Sequence, residues 1–142
     1  MLALVVMAAL VILPAACDSP TTTTTHTGTP PPGAPAFTVD LVARDMAFDK
    51  NTITVPAGSE VYINFDNQDE GTLHNFSLYS SPDAQTALFM GETIQGPAKT
   101  TYRFPAGSRA GSYYFRCDSH PITMNGVFVV TAPEIVTTIV QP

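Results

Sequence analysis

With 142 residues, 44% of them apolar, the chain has room for one modest domain, and plentiful Pro and Thr with no Trp and no long helix-forming run point to β structure. A net charge of −6 on only 13% charged residues offers no phosphate-neutralising cluster, which excludes nucleic acid as an expected partner. Mild acidity suits solubility, and it equally permits docking on a basic protein.

Residues Met1 to Ala16 are almost wholly apolar, about the length of a signal-peptide core and short of the roughly 20 residues a spanning helix needs. Leu13-Pro14-Ala15-Ala16-Cys17 resembles a bacterial lipobox, in which small residues precede a cysteine that is lipidated after cleavage. Residues 1–17 are therefore expected to be a leader, with Cys17 the lipidation site. An ordinary cleaved signal and an uncleaved anchor are the alternatives. The expected location is extracytoplasmic, in the periplasm or on the outer face of the cell membrane. Residues 18–36 carry five consecutive threonines and a Pro-rich run, too poor in large apolar groups to fold, and read as an extended linker. His26 within it reads as a solvated histidine rather than a ligand.

From Phe37 the pattern changes to short alternating strands. Val39, Leu41 and Ala43 alternate with Asp40, Val42 and Arg44, then Ile53 and Val55 with Thr52 and Thr54, with a turn at Pro56-Ala57-Gly58. Val61, Ile63 and Phe65 follow, ending in the polar stretch Asn67-Gln68-Asp69-Glu70-Gly71. The next strand is expected to put His74, Phe76 and Leu78 inward and Asn75, Ser77 and Tyr79 on the other face. Residues Asp83 to Met90 read either as a short helix or as a loop into an edge strand. Thr100, Tyr102 and Phe104 resume the alternation, and Tyr113, Phe115 and Cys117 share an inward face, leaving Tyr114 and Arg116 outside. Val127 to Val130 form a last apolar strand, and residues 132–142 read as a loosely attached tail with one possible edge strand. About seven to eight short strands within 37–131 imply an all-β fold, a Greek-key antiparallel β-sandwich.

The chemistry is concentrated in Tyr113-x-Phe115-x-Cys117-x2-His120-Pro121-x2-Met124-x-Gly126. Thiolate, imidazole and thioether within eight residues favour copper over magnesium or calcium, which want oxygen. A further ligand must come from elsewhere, and His74 in Leu73-His74-Asn75-Phe76 is the better of the two remaining histidines. Each residue alone has a plainer explanation: a buried inert thiol, a turn histidine, a methionine filling the core. Together in one loop, beside an inward His74, they point to metal. Cys17 and Cys117 are better explained separately than as a disulfide.

This constellation, with Phe48-Asp49, Val55-Pro56-Ala57-Gly58 and His74-Asn75-Phe76 upstream, resembles the cupredoxins, the small blue copper proteins, most closely the plastocyanin and amicyanin branch. The resemblance covers about Phe37 to Thr131. It implies one copper ion held by His74, Cys117 and His120 as trigonal ligands and Met124 as a weak axial one; the spacing from His120 to Met124 lies between those of the two branches. It also implies that Asn75 ties the histidine strand to the cysteine loop by hydrogen bonding, where the residues alone would allow an outward strand Asn. By the same resemblance His120 is an electron port within an apolar patch formed by Pro121, Ile122 and Leu73. Asp69, Glu70 and Asp118 are read as charges that steer a basic redox partner.

The expected function is a one-electron carrier, acting as a monomer between transient redox protein partners and tethered to the membrane by a lipid anchor. Copper storage or delivery without redox cycling is the alternative, though no Met-rich or His-rich exchange motif supports it. A multicopper enzyme would need more than the three histidines present. A binuclear electron-transfer centre would need a second loop cysteine. Zinc fits a thioether poorly.

Overall fold

The computed structural model describes residues 33–132. The expected leader with Cys17, the linker with His26 and the tail beyond Ala132 lie outside the described residues.

Among the described residues there are eleven strand segments: β1 (Ala36–Arg44), β2 (Ala47–Phe48), β3 (Thr52–Pro56), β4 (Glu60–Asn67), β5 (Leu73–His74), β6 (Ser77–Tyr79), β7 (Ala87–Met90), β8 (Ile94–Gln95), β9 (Ala98–Pro105), β10 (Gly111–Arg116) and β11 (Asn125–Thr131). One sheet runs β2-β1-β4-β9, a second runs β3-β11-β10-β6-β7, and β5 pairs with β8 as a separate ribbon. The two large sheets sandwich a core of alternating apolar side chains. On β4, Val61, Ile63 and Phe65 are buried while Tyr62 and Asn64 are not, so a period of two delivers every large side chain to one face. Ile53 and Val55 on β3, Tyr102 and Phe104 on β9, and Phe128 and Val130 on β11 obey the same rule.

Aromatic rings fill the centre. Phe76 stacks on Phe104 at 5.8 Å and on Phe115 at 5.4 Å between centroids, and Phe89 stacks on Phe104 at 4.6 Å. Removing each such ring from water stabilises the fold by about 1.5–3 kcal/mol, and their offset contacts add a smaller increment.

The all-β sandwich is the one expected, but two pairings are parallel rather than antiparallel. β1 pairs with β4 in parallel from Ala36↔Glu60 to Ala43↔Asn67, and β3 with β11 from Thr52↔Val127 to Thr131↔Pro56. Between β1 and β4 the chain visits the other sheet to lay down β3, then returns beside β1 in the same direction. Side-chain alternation reports which face is buried and carries no information about the neighbour's direction, so the sequence pattern could not reveal this crossing. The count of segments also exceeds the expected seven or eight, because β2, β5 and β8 are two-residue pieces too short to alternate visibly. Of the two readings for Asp83 to Met90, the edge strand is correct: β7 pairs antiparallel with β6.

Candidate metal centre

The stretch from His74 to Tyr79 departs from simple alternation. β5 ends at His74 and β6 begins at Ser77, and the six residues from His74 to Tyr79 are all buried. Asn75, Ser77 and Tyr79 therefore do not face outward as alternation suggested. The chain leaves the β5-β8 ribbon and enters the larger sheet at this point, so both of its sides are covered. His74 stands at the junction, with no exposed surface.

Cys117 follows β10 directly, and its side chain shares the inward face of Phe115; both are fully buried. The loop to β11 closes on itself through its backbone. Cys117 N–H donates to the Met124 carbonyl at 2.9 Å, His120 N–H to Cys117 at 3.2 Å, and Met124 N–H to His120 at 3.0 Å. Asn125 Nδ2 adds bonds to the Pro121 and Ile122 carbonyls at 3.0 and 3.1 Å. Closed by these bonds, the loop holds His120 half-buried, Met124 fully buried and Ile122 91% exposed.

Three donor atoms converge. Cys117 Sγ lies 3.6 Å from His74 Nδ1 and 3.9 Å from His120 Nδ1, and the two nitrogens are 3.1 Å apart. A point in their plane is equidistant from all three at about 2.1 Å, where metal–nitrogen bonds run about 2.0–2.1 Å and metal–sulfur bonds about 2.3 Å. His74 Nε2 faces the Asp69 carboxylate at 2.9 Å; because a carboxylate only accepts, the ring proton sits on Nε2 and the Nδ1 lone pair is left facing the thiol. A thiolate, two imidazoles and a nearby buried thioether form a soft to borderline set that suits copper. Met124 is in the same loop and fully buried, as a weak fourth donor would need.

The wall beside the thiol is built from Asp118. Its carboxylate accepts from Ser77 Oγ at 2.6 Å, Tyr79 Oη at 2.6 Å, Arg116 Nε at 2.9 Å and Asn75 Nδ2 at 3.0 Å. Asn75 Oδ1 in turn accepts the Asp118 N–H at 2.8 Å, and Asn75 Nδ2 also donates to the Gly91 carbonyl at 2.9 Å. Asn75 thus links the histidine segment, Gly91 just after β7, and the cysteine loop. Burial pushes the Asp118 carboxyl up, but its hydrogen bonds from Ser77, Tyr79, Asn75 and Arg116 outweigh that and hold it below the ordinary carboxylate value. Burial and the hydrogen bond to Asp118 push the Tyr79 hydroxyl up, so it remains a neutral donor.

Asp69 and Asp118, read from sequence as steering charges, are both half-buried and hydrogen-bonded at the site, while Glu70 is exposed. Arg116, expected outside, is half-buried with its guanidinium 4.5 Å over the Tyr79 ring. Ser77 and Tyr79, which no sequence motif marks, complete this wall. Their one sequence signal is polarity at alternating positions immediately after His74, which a surface strand would show equally.

A β-sandwich that gathers one thiolate and two imidazoles at the end of its sheets is built like a protein of the mononuclear metal class. The sequence model of the cupredoxin-like domain matches residues 2–130, and the chain belongs to that family. Comparison with curated protein sequences gives no match. Among solved structures, auracyanin A, a blue copper protein of the green thermophilic photosynthetic bacterium Chloroflexus aurantiacus, aligns with 24% identity and a TM-score of 0.60 over 68% of this chain and 99% of its own. Reduced auracyanin from the photosynthetic bacterium Roseiflexus castenholzii aligns with 20% identity and a TM-score of 0.61 over 69% and 99%. Rusticyanin from Thiobacillus ferrooxidans aligns with 21% identity and a TM-score of 0.53 over 66% and 77%. At these identities the likeness establishes a shared fold.

Proposed function

We propose that this chain is a one-electron carrier that holds a single copper ion, with His74, Cys117 and His120 as its strong ligands and Met124 as a weak axial one. The observation that carries the reading is the triangle of Sγ and two Nδ1 atoms, whose centre lies about one bond length from each. Copper, when bound, supplies the Cu(II)/Cu(I) couple. The chain's part is to keep the donors where both oxidation states accept them. His74 and Cys117 are fixed in the core and His120 by a loop closed on its own backbone, so a change of charge meets little rearrangement. The fold excludes water from His74, Cys117 and Met124, and the half-buried His120 beside exposed Ile122 offers electrons a route to a docked partner.

In this reading partners dock briefly on Pro121 and Ile122, and the protein works as a monomer. The apolar first 16 residues and the small residues before Cys17 support an extracytoplasmic carrier anchored by a lipid on Cys17. The function is tested by adding Cu(II) to the full chain and recording visible and electron spin resonance spectra. Wild type is expected to show an intense thiolate-to-copper absorption that bleaches with reductant and returns with oxidant, and Cys117→Ser to lack it. A colourless wild-type complex sinks the proposal. Bound Cu(I) that resists reoxidation favours storage or delivery instead.

A further inference from the structure

The two-residue turn between β1 and β2 is made by Asp45 and Met46, both left-handed, with φ of 54° and 60°. That conformation is strained for a side-chain-bearing residue, and such turns ordinarily use Asn or Gly. Compensation comes from far along the chain: the Asp69 carboxylate accepts the Asp45 N–H at 2.6 Å and the Met46 N–H at 3.0 Å. Asp69 is itself fixed. Its N–H donates to Asn67 Oδ1 at 3.1 Å, and fully buried Asn67 donates from Nδ2 to the Thr72 and Ile94 carbonyls, both at 2.9 Å. Gly96 packs against the Asp69 carbonyl and the Asn67 side chain so closely that no Cβ would fit there. A carboxylate held this firmly turns its Oδ2 to His74 Nε2 at 2.9 Å.

We propose that Asp69 is the positioning residue of the copper site: it locks His74 in the Nε2–H tautomer, aims Nδ1 at Cys117 and His120, and through its negative charge favours Cu(II) over Cu(I). This rests on the copper-carrier reading above. An imidazole whose far N–H is gripped by a carboxylate cannot flip, and it becomes a stronger donor through its other nitrogen. The turn residues Asp45 and Met46 belong to the same device, because their amides hold Asp69 by the oxygens that would otherwise need water. An exposed hairpin of the first sheet thereby sets the orientation of a fully buried ring.

The test uses the full chain in two arms. In the metal-free protein at about pH 8.5, above the ordinary imidazole range, nitrogen–proton correlation spectra of the ring are expected to place the His74 proton on Nε2 in slow exchange with water, and Asp69→Ala to lose that protection. A His74 proton on Nδ1 in wild type overturns the proposal. In the copper-loaded protein, Asp69→Asn, which keeps the shape and an acceptor oxygen but removes the charge, is expected to shift the couple toward Cu(I). Asp69→Ala is expected to weaken Cu(II) binding about 10–100-fold, with Asp69→Glu restoring part of it. Unchanged potential in Asp69→Asn together with unchanged affinity in Asp69→Ala overturns it. Circular dichroism checks that each variant folds, and if Asp69→Ala does not, Asp69→Asn decides. Should wild type take up no copper in a thiolate site, the carrier reading fails on its own, and the metal-free spectra still decide the role of Asp69.

Discussion

Cys117 and Asp118 are adjacent in the chain and serve opposite sides of the same wall. The thiol points into the sandwich, while the carboxylate collects Asn75, Ser77, Tyr79 and Arg116 on the far side. Asp118→Ala leaves four donors without this acceptor, three of them on buried Ser77, Asn75 and Tyr79, of which Asn75 keeps its bond to the Gly91 carbonyl. Stranded buried donors cost about 1–3 kcal/mol each before relaxation, and the partly exposed Arg116 recovers water. The expected loss is about 2–4 kcal/mol in urea unfolding; Asp118→Asn, which keeps one acceptor oxygen, is expected to lose less. At Met124 the prediction concerns chemistry rather than stability. Met124→Leu fills nearly the same space, so the fold should survive, and losing the thioether donor should favour Cu(I). The expected result is an unchanged melting curve in the metal-free protein and a raised midpoint potential in the loaded one. An unmoved potential would show that Met124 only packs.

Strands place these residues, and the close approach of β10 to β11 fixes how accurately. Phe115 and Gly126 are opposite each other in the ladder. A Cβ built on Gly126 would lie 2.5 Å from the Asn51 carbonyl oxygen and 2.5 Å from the Phe115 ring. The glycine is there because a ring and a backbone already occupy its side-chain space. Gly126→Ala must therefore displace Phe115, two residues before Cys117, or part β11 from β3. The expected cost is about 1–3 kcal/mol, read by urea titration, along with a broadened charge-transfer band if Cys117 shifts with its strand. The Met-x-Gly pattern was visible in the sequence; its reason is a contact between strands, which spacing along the chain does not encode. Alternation failed at His74 to Tyr79 for a related cause. A period of two assumes one sheet with one wet face, whereas this segment changes sheets midway and is covered on both sides.

At the scale of the whole molecule, the described residues leave the site open beside the cysteine loop. Ile122 is 91% exposed and Leu73 49% exposed, and half-buried His120 is the only one of the four proposed ligands that is not fully buried. Ile122→Lys puts a charge on the proposed docking patch without touching a ligand. Electron exchange with a redox partner is expected to slow about tenfold, the equivalent of roughly 1.4 kcal/mol at a contact residue, while the visible spectrum stays that of wild type. A rate unaffected by the substitution would move the docking site away from this loop.

Large apolar residues at alternate positions could be read directly from the chain, and with them most strands and the faces they bury, the exception being His74 to Tyr79. The sequence by itself also determined the donor chemistry, since Cys117, His120 and Met124 lie within one loop whose length is a local property. It took the folded arrangement to show that His74, 43 residues before Cys117, meets it at 3.6 Å, that two pairings run parallel, and that Asp69 and Asp118 are hydrogen-bonded against the site. Local pattern reports burial because water acts on each side chain separately. Direction of pairing, and the partner of a buried carboxylate, depend on which distant segments the sandwich brings side by side.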